Sequence, residues 1–392
     1  MSGIKFHPAE LILSVLVLRL VIAAFFYHPD IKSQYYHAAF FKTGIINIYE
    51  FLQFNRTRLP YSDTFNYPPL TYIFLGSWQT LSSVISGPGL DDWLSDWSDR
   101  HLYNPDLFFY LLLLKLPYFI ADFLILKLLI SLVSPPRRYP LALLWLFNPV
   151  SLYAIYAVGQ FDIIPALMTV AALTLAPVPA AFLLGLAASF KTYPLLLIPF
   201  LLLHTRPYPK ALFTGVAALA GWGLPLLPYL YSTAFRQTVF QSSLGGRIIN
   251  PGFVIFYLLV LGLSWYRRRS PDLTWDFFTV TLGVLLFSRF HAQWAVWTLP
   301  FVCLLLIRLP RLYPVFLIVL FSFFAVIFLL PDQYVLLGLF TPQNPYLATI
   351  PSLVSLIPKR DIVNFLIRRL LLVSGLGLVF STYYHVSKIT KT

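Results

Sequence analysis

Asp30 stands directly after the first apolar run of the chain, in YHPDIKSQYYHAAFF. A carboxylate at a membrane boundary lies where the head group of a lipid-linked substrate lies. It can take the proton of an acceptor hydroxyl as that oxygen attacks. Pro29 fixes the turn, so Asp30 equally suits the N-cap of a following helix. Asp162 closes GQFD at the head of another apolar run, where capping explains it most cheaply; with Gln160 it can also hold sugar hydroxyls. Lys191, in SFKTYP, lies between two apolar runs, and it suits a phosphate or snorkels to the head groups. SRFHAQW offers Arg289, a planar fork for phosphate, and His291, a donor or proton carrier; an interfacial anchor cluster is the plainer reading. GGRIINPG puts Arg247 in a glycine-rich loop whose amides can line an anion, although a plain loop is simpler.

Further charges have structural readings. Arg19, Lys115 and Asp122 fall inside apolar runs, where charges pair with one another; Arg19–Asp122 and Lys115–Asp122 are both open. DDWLSDWSD carries Asp91, Asp92, Asp96 and Asp99, which could hold a hard cation. Its interleaved Trp residues read instead as a solvated interfacial loop, and no metal is expected. Asn55-Arg56-Thr57 is a glycosylation sequon.

These groups need apolar elements to position them. Of 392 residues, 58% are apolar and 11% are charged, far below the charge of a soluble domain. An aromatic share of 18% suits long membrane–water boundaries. A single Cys, Cys303, excludes an intrachain disulfide and a Cys-based zinc cluster. The expected fold is an all-α polytopic membrane protein of about 12 transmembrane helices in one domain, residues 1–392. The apolar runs are 11–27, 106–133, 139–156, 161–176, 179–190, 194–204, 210–231, 252–266, 274–288, 293–307, 312–330 and 370–386. Those at 179–190 and 194–204 are short, and Pro194 allows one kinked helix instead. The first run is not expected to be a cleaved signal.

Alternating the runs from an inner N-terminus gives the inner side 13 basic residues and three acids, and the outer side 13 and 11. Basic inner loops account for the net charge of +13 without a nucleic-acid partner. The long segments 28–105, 232–251 and 331–369 all fall outside, so the working face is expected there. Within 28–105, SQYYHAAFFKTGIINIYEFLQF and YPPLTYIFLGSWQTLSSVI read as two interfacial helices, the second with a re-entrant alternative.

The strings in order resemble the GT-C superfamily of membrane glycosyltransferases. HPDIKSQYYHAAFF resembles the region of the catalytic Asp in the first outer loop. FNYPPLTYIF resembles the Tyr-Pro-Pro-Leu segment of dolichyl-phosphate-glucose-dependent transferases and bacterial relatives. LKLPYFIADFLI, LFNPVSLYAIYAVGQFD, GLAASFKTYPLLLIPFLLL and SRFHAQWAVWTLPF resemble blocks of prokaryotic polyprenyl-phosphate-mannose-dependent mannosyltransferases and of the GPI mannosyltransferase I catalytic subunit. The resemblance covers about residues 10–310. It departs in one respect: many relatives carry a paired acid where Asp30 stands alone.

The resemblance implies a GT-C-like inverting hexosyltransferase, mannose preferred and glucose close behind. Its donor is a polyprenyl- or dolichyl-phosphate sugar. Asp30 would be the base, with Lys191, Arg289, His291 and Arg247 for the donor phosphate and Tyr67, Gln160 and Asp162 for sugar or acceptor. No cofactor is implied. A lipid-linked or small glycan acceptor is expected, because the sequence offers no large polar domain for a folded protein acceptor. The expected setting is multi-pass in membrane lipid, in a prokaryotic plasma membrane rather than endoplasmic reticulum, with the site on the extracytoplasmic face. A transporter or lipid flippase is the alternative, and it calls for midplane charges and two similar halves.

Overall fold

Proline starts many of the helices in this chain. Pro29, Pro69, Pro135, Pro149, Pro177 and Pro251 each occupy a first helical position, where the missing N–H has no helical partner to lose. The computed structural model describes residues 8–241, 248–268 and 272–389. Its main helices are α1 (Pro8–Phe25), α2 (Pro29–Ala39), α3 (Ile48–Asn55), α4 (Pro69–Ser86), α5 (Gly89–Ser95), α6 (Leu107–Ser131), α7 (Pro135–Leu146) and α8 (Pro149–Ala157). Then come α9 (Ile163–Ala172), α10 (Pro177–Ala188), α11 (Tyr193–His204), α12 (Tyr208–Tyr229), α13 (Pro251–Tyr266), α14 (Thr274–Phe287), α15 (Ala292–Arg308), α16 (Pro310–Phe328) and α17 (Arg360–Ile389). Short helical turns join them, and the described residues include no strand.

Among the described residues, four helices, α6, α12, α16 and most of α17, are long and apolar enough to cross a membrane. The number is six if two bent pairs, α1 with α2 and α7 with α8, each count as one span. The twelve expected crossings are not found as twelve long helices. α9, α10, α11, α13, α14 and α15 are apolar but 10–17 residues long, which at 1.5 Å per residue falls short of a core of about 30 Å. The expected span 139–156 is cut at Asn148. Its side chain accepts from Val150 N–H at 3.0 Å and Pro149 starts a new helix, with a bend of 40°. The first expected interfacial helix is likewise two, α2 and α3, parted at Gly44 with φ +82. Segment 28–105 thus holds four helices, α2 to α5, rather than two.

Large apolar side chains such as Phe213, Leu219, Leu259, Phe321 and Val373 are exposed along α12, α13, α16 and α17. Contiguous apolar exposure on this scale needs a lipid or protein covering. α10 and α12 meet backbone to backbone: a Cβ on Gly185 would lie 2.2 Å from the Ala218 carbonyl oxygen, and one on Gly221 would lie 2.1 Å from that of Phe182. Small residues permit such an approach between helices in lipid.

The charges buried inside the first apolar runs find partners, although Arg19 Nη2 is left without one. Arg19 Nε donates to Asp122 Oδ2 at 2.7 Å and Nη1 to the Leu146 carbonyl at 2.7 Å. Asp122 also accepts from Trp145 Nε1 and the Tyr156 hydroxyl, each at 2.6 Å. Lys115 does not pair with Asp122. Its Nζ donates to the carbonyls of Ala23, Phe26 and Tyr156 at 2.9, 2.6 and 2.7 Å. Those of Ala23 and Phe26 lie at the end of α1, where helix carbonyls lack intrahelical partners.

Two further sets of polar contacts involve charged groups from distant helices. One joins Asp30, Gln34, Gln160, Asp162, Lys191 and Trp297, with Asp332 reached through His28. The other joins His204, Ser264, Arg267 and Asp276, with Arg308 on Asp272 close in sequence. α11 runs from the first set to the second, starting beside Lys191 and ending at His204.

Candidate active site

The turn between α1 and α2 positions Asp30. α1 ends at Phe25 and α2 leaves at 76° to it. The His28 imidazole Nδ1 accepts from Asp30 N–H at 3.2 Å, so His28 caps α2 and the Asp30 side chain is left for other work. Gln160 Nε2 donates to Asp30 Oδ2 at 2.7 Å, and Gln34 Nε2 donates to Gln160 Oε1 at 3.1 Å. Gly159 makes this possible. It sits at φ +75, and a Cβ there would lie 2.9 Å from Lys115 Cε and 3.0 Å from Ile31 Cδ1. The Asp30 side chain remains 41% exposed, so a carboxylate fixed on one oxygen keeps an open one.

Asp162 is the opposite case. It begins α9, yet its side chain caps nothing. Lys191 Nζ reaches both carboxylate oxygens at 2.8 Å, and Trp297 Nε1 donates to Oδ1 at 2.6 Å. The ammonium also faces the rings of Phe161, Trp297 and Tyr67, at 5.1, 5.4 and 5.5 Å from their centres. Instead of reaching out to head groups, Lys191 is ion-paired with Asp162 inside an aromatic box. Tyr67 closes the side toward Asp30. Burial, then the Asp30 and Asp162 carboxylates, push its hydroxyl pKa up, so it stays a proton donor.

Trp297 stacks on Tyr193 at 4.1 Å and on Trp294 at 5.0 Å, and Trp294 meets His291 at 4.6 Å. An aromatic column thus connects His291 to the Lys191 box. Arg289 is exposed and bears on Arg368 of α17 instead. Arg247 lies outside the described residues. In the acidic stretch, Asp91 accepts from Lys42, Gln79 and Ser83 and Asp96 from Ser98, while Asp92 and Asp99 are exposed.

Removing the Lys191 charge should leave Asp162 buried without its counterion. Lys191→Met is expected to cost about 3–5 kcal/mol of stability, and Lys191→Met/Asp162→Leu to regain most of it, as read by denaturant unfolding in detergent. A double variant no better than the single would mean that the pair is not what holds Lys191.

Two residues with no role assigned from sequence complete the site. His28 Nδ1 lies 3.5 Å from Asp30 Oδ1, and its Nε2 lies 3.8 Å from Asp332 Oδ2. Burial alone would lower the His28 pKa; Asp30 and Asp332 outweigh it and raise it above 6.5. The neighbouring His28 imidazole and the Tyr334 N–H, which donates to Oδ1 at 2.8 Å, hold Asp332 below 3.8. The His28 contribution to stability is thus complete below 6.5 and lost as pH rises through its folded value. That of Asp332 is complete above 3.8 and lost as pH falls through its folded value. Asp332→Asn should flatten the fall in stability as pH rises above 6.5, read by tryptophan fluorescence. An unchanged profile would remove the pair from the account.

No protein-family model matches the chain, and no curated protein matches it. What the site can do follows from its own atoms. It offers two half-exposed carboxylates, Asp30 and Asp332, amide and phenol donors beside Asp30, and a largely buried ion pair that adds shape without net charge.

Proposed function

We propose that the protein is an integral membrane glycosyltransferase that moves a hexose, mannose preferred, from a polyprenyl- or dolichyl-phosphate donor to a lipid-linked or glycan acceptor. The observation that carries this is the half-exposed Asp30 carboxylate, held by Gln160 and flanked by His28 and Tyr67. The acceptor oxygen attacks the anomeric carbon and its proton passes to Asp30. The bond from that carbon to the phosphate oxygen breaks, polyprenyl phosphate leaves, and the configuration inverts. Gln160 and Tyr67 are placed to hold sugar hydroxyls. Lys191 and Asp162 wall the site, so the departing phosphate turns to Arg289, with His291 beside it, before α15.

The finer membrane reading belongs to the same proposal: about twelve crossings, GT-C-like, in a prokaryotic plasma membrane with the site on the extracytoplasmic face. The separation of the Asp162–Lys191 and Asp276–His204 contacts by α11 supports it. α11 links the two sets although it is short, as a crossing helix in a broken or locally thin span would.

The test is reconstitution in liposomes with a radiolabelled polyprenyl-phosphate hexose. Covalent label on an acceptor is the expected result. Label carried intact across the bilayer would establish the transporter or flippase instead.

A further inference from the structure

We propose that Arg289, Arg368 and Arg369 form a binding site for the phosphate of an anionic membrane lipid. Arg368 and Arg369 line a cavity of about 220 Å³ between α14 and α17, together with Ser288, Phe290 and Phe365. Arg289 stands between Ser288 and Phe290 and is close enough for its charge to act on Arg368. The Arg368 guanidinium is 5.8 Å from the Phe290 ring centre, and its Nε donates to Asn364 Oδ1 at 2.8 Å, which fixes its fork. Arg369 lies over Phe365 at 4.8 Å.

Three neighbouring guanidiniums repel one another, and near hydrocarbon such charge is costly unless matched. The usual remedy is a carboxylate. All fifteen acids of the chain lie in described residues, and none forms an ion pair with these three. The matching charge therefore comes from outside the chain. A phosphate oxygen pair fits the planar fork of Arg. Leu285, Leu286, Leu371 and Leu372 form the rest of the cavity wall, which suits a lipid tail and not a free ion. The inference rests on the membrane reading and shares Arg289 with the proposed path of the departing phosphate; lipid retention is read without turnover, so its failure is distinguishable from failure of glycosyl transfer.

The experiment uses the full chain in phosphatidylcholine nanodiscs, titrated separately with polyprenyl monophosphate, phosphatidylglycerol and inorganic phosphate. Binding of at least one of the two anionic lipids is expected. It should weaken about tenfold or more in Arg289→Gln/Arg368→Gln. It should be partly kept in Arg289→Lys/Arg368→Lys and be unchanged in Arg311→Gln. The lipid that binds identifies the source of the phosphate. If the Gln variant does not fold, displacement from the wild type decides. Release of bound lipid by excess inorganic phosphate, or retention in the folded Gln variant equal to wild type, overturns the proposal.

Discussion

Turnover of the Asp30→Asn variant is expected to fall about 100- to 10,000-fold, with expression and donor binding close to wild type. Asn matches Asp in shape and still accepts from Gln160, so the α1–α2 turn should persist. What is lost is the ability to take a proton. Single-turnover assays in liposomes, paired with a donor retention measurement, separate the two effects. Turnover near that of wild type would exclude Asp30 as the base. A matched loss of donor retention would instead assign it to binding.

The second large effect is structural. Asp122→Ala removes the acceptor of Arg19, Trp145 and Tyr156 at once, and leaves Arg19 buried with only the Leu146 carbonyl. Breaking one side of such a pair typically costs about 3–5 kcal/mol. Replacing both charges with apolar residues of similar volume, Arg19→Met/Asp122→Leu, should cost much less. Thermal unfolding in detergent reads the difference. Equal loss in both variants would show that packing, rather than stranded charge, sets the penalty.

Much of the site was legible because its groups sit at helix ends. Asp30 follows an apolar run, and GQFD, SFKTYP and SRFHAQW each interrupt one. What local sequence does not carry is which interruption meets which. Lys191 is adjacent in sequence to no acid, yet Asp162 takes its whole charge. His28 was visible beside Pro29, but its meaning depends on Asp332, in a segment near the other end of the chain. Hydropathy marked the apolar stretches and not their continuity. Pro149 begins a new helix inside the apolar run 139–156, and a window average is blind to a single missing N–H. Arg19–Asp122 against Lys115–Asp122 was undecidable from spacing, since three free carbonyls served Lys115 as well as a carboxylate would.

The Arg19–Asp122 bond also bears on biogenesis. Its partners are 103 residues apart, so α1 leaves the ribosome long before α6. During that interval Arg19 stands in an apolar segment without its counterion, at a cost of about 2.5–3.5 kcal/mol for lateral release into lipid. α1 is thus a reluctant first helix, best retained at the insertion machinery until α6 arrives. Segment 28–105 is synthesised within that same interval. Asp30 is therefore made before the Arg19 and Lys115 contacts that fix the end of α1 against α6 can form.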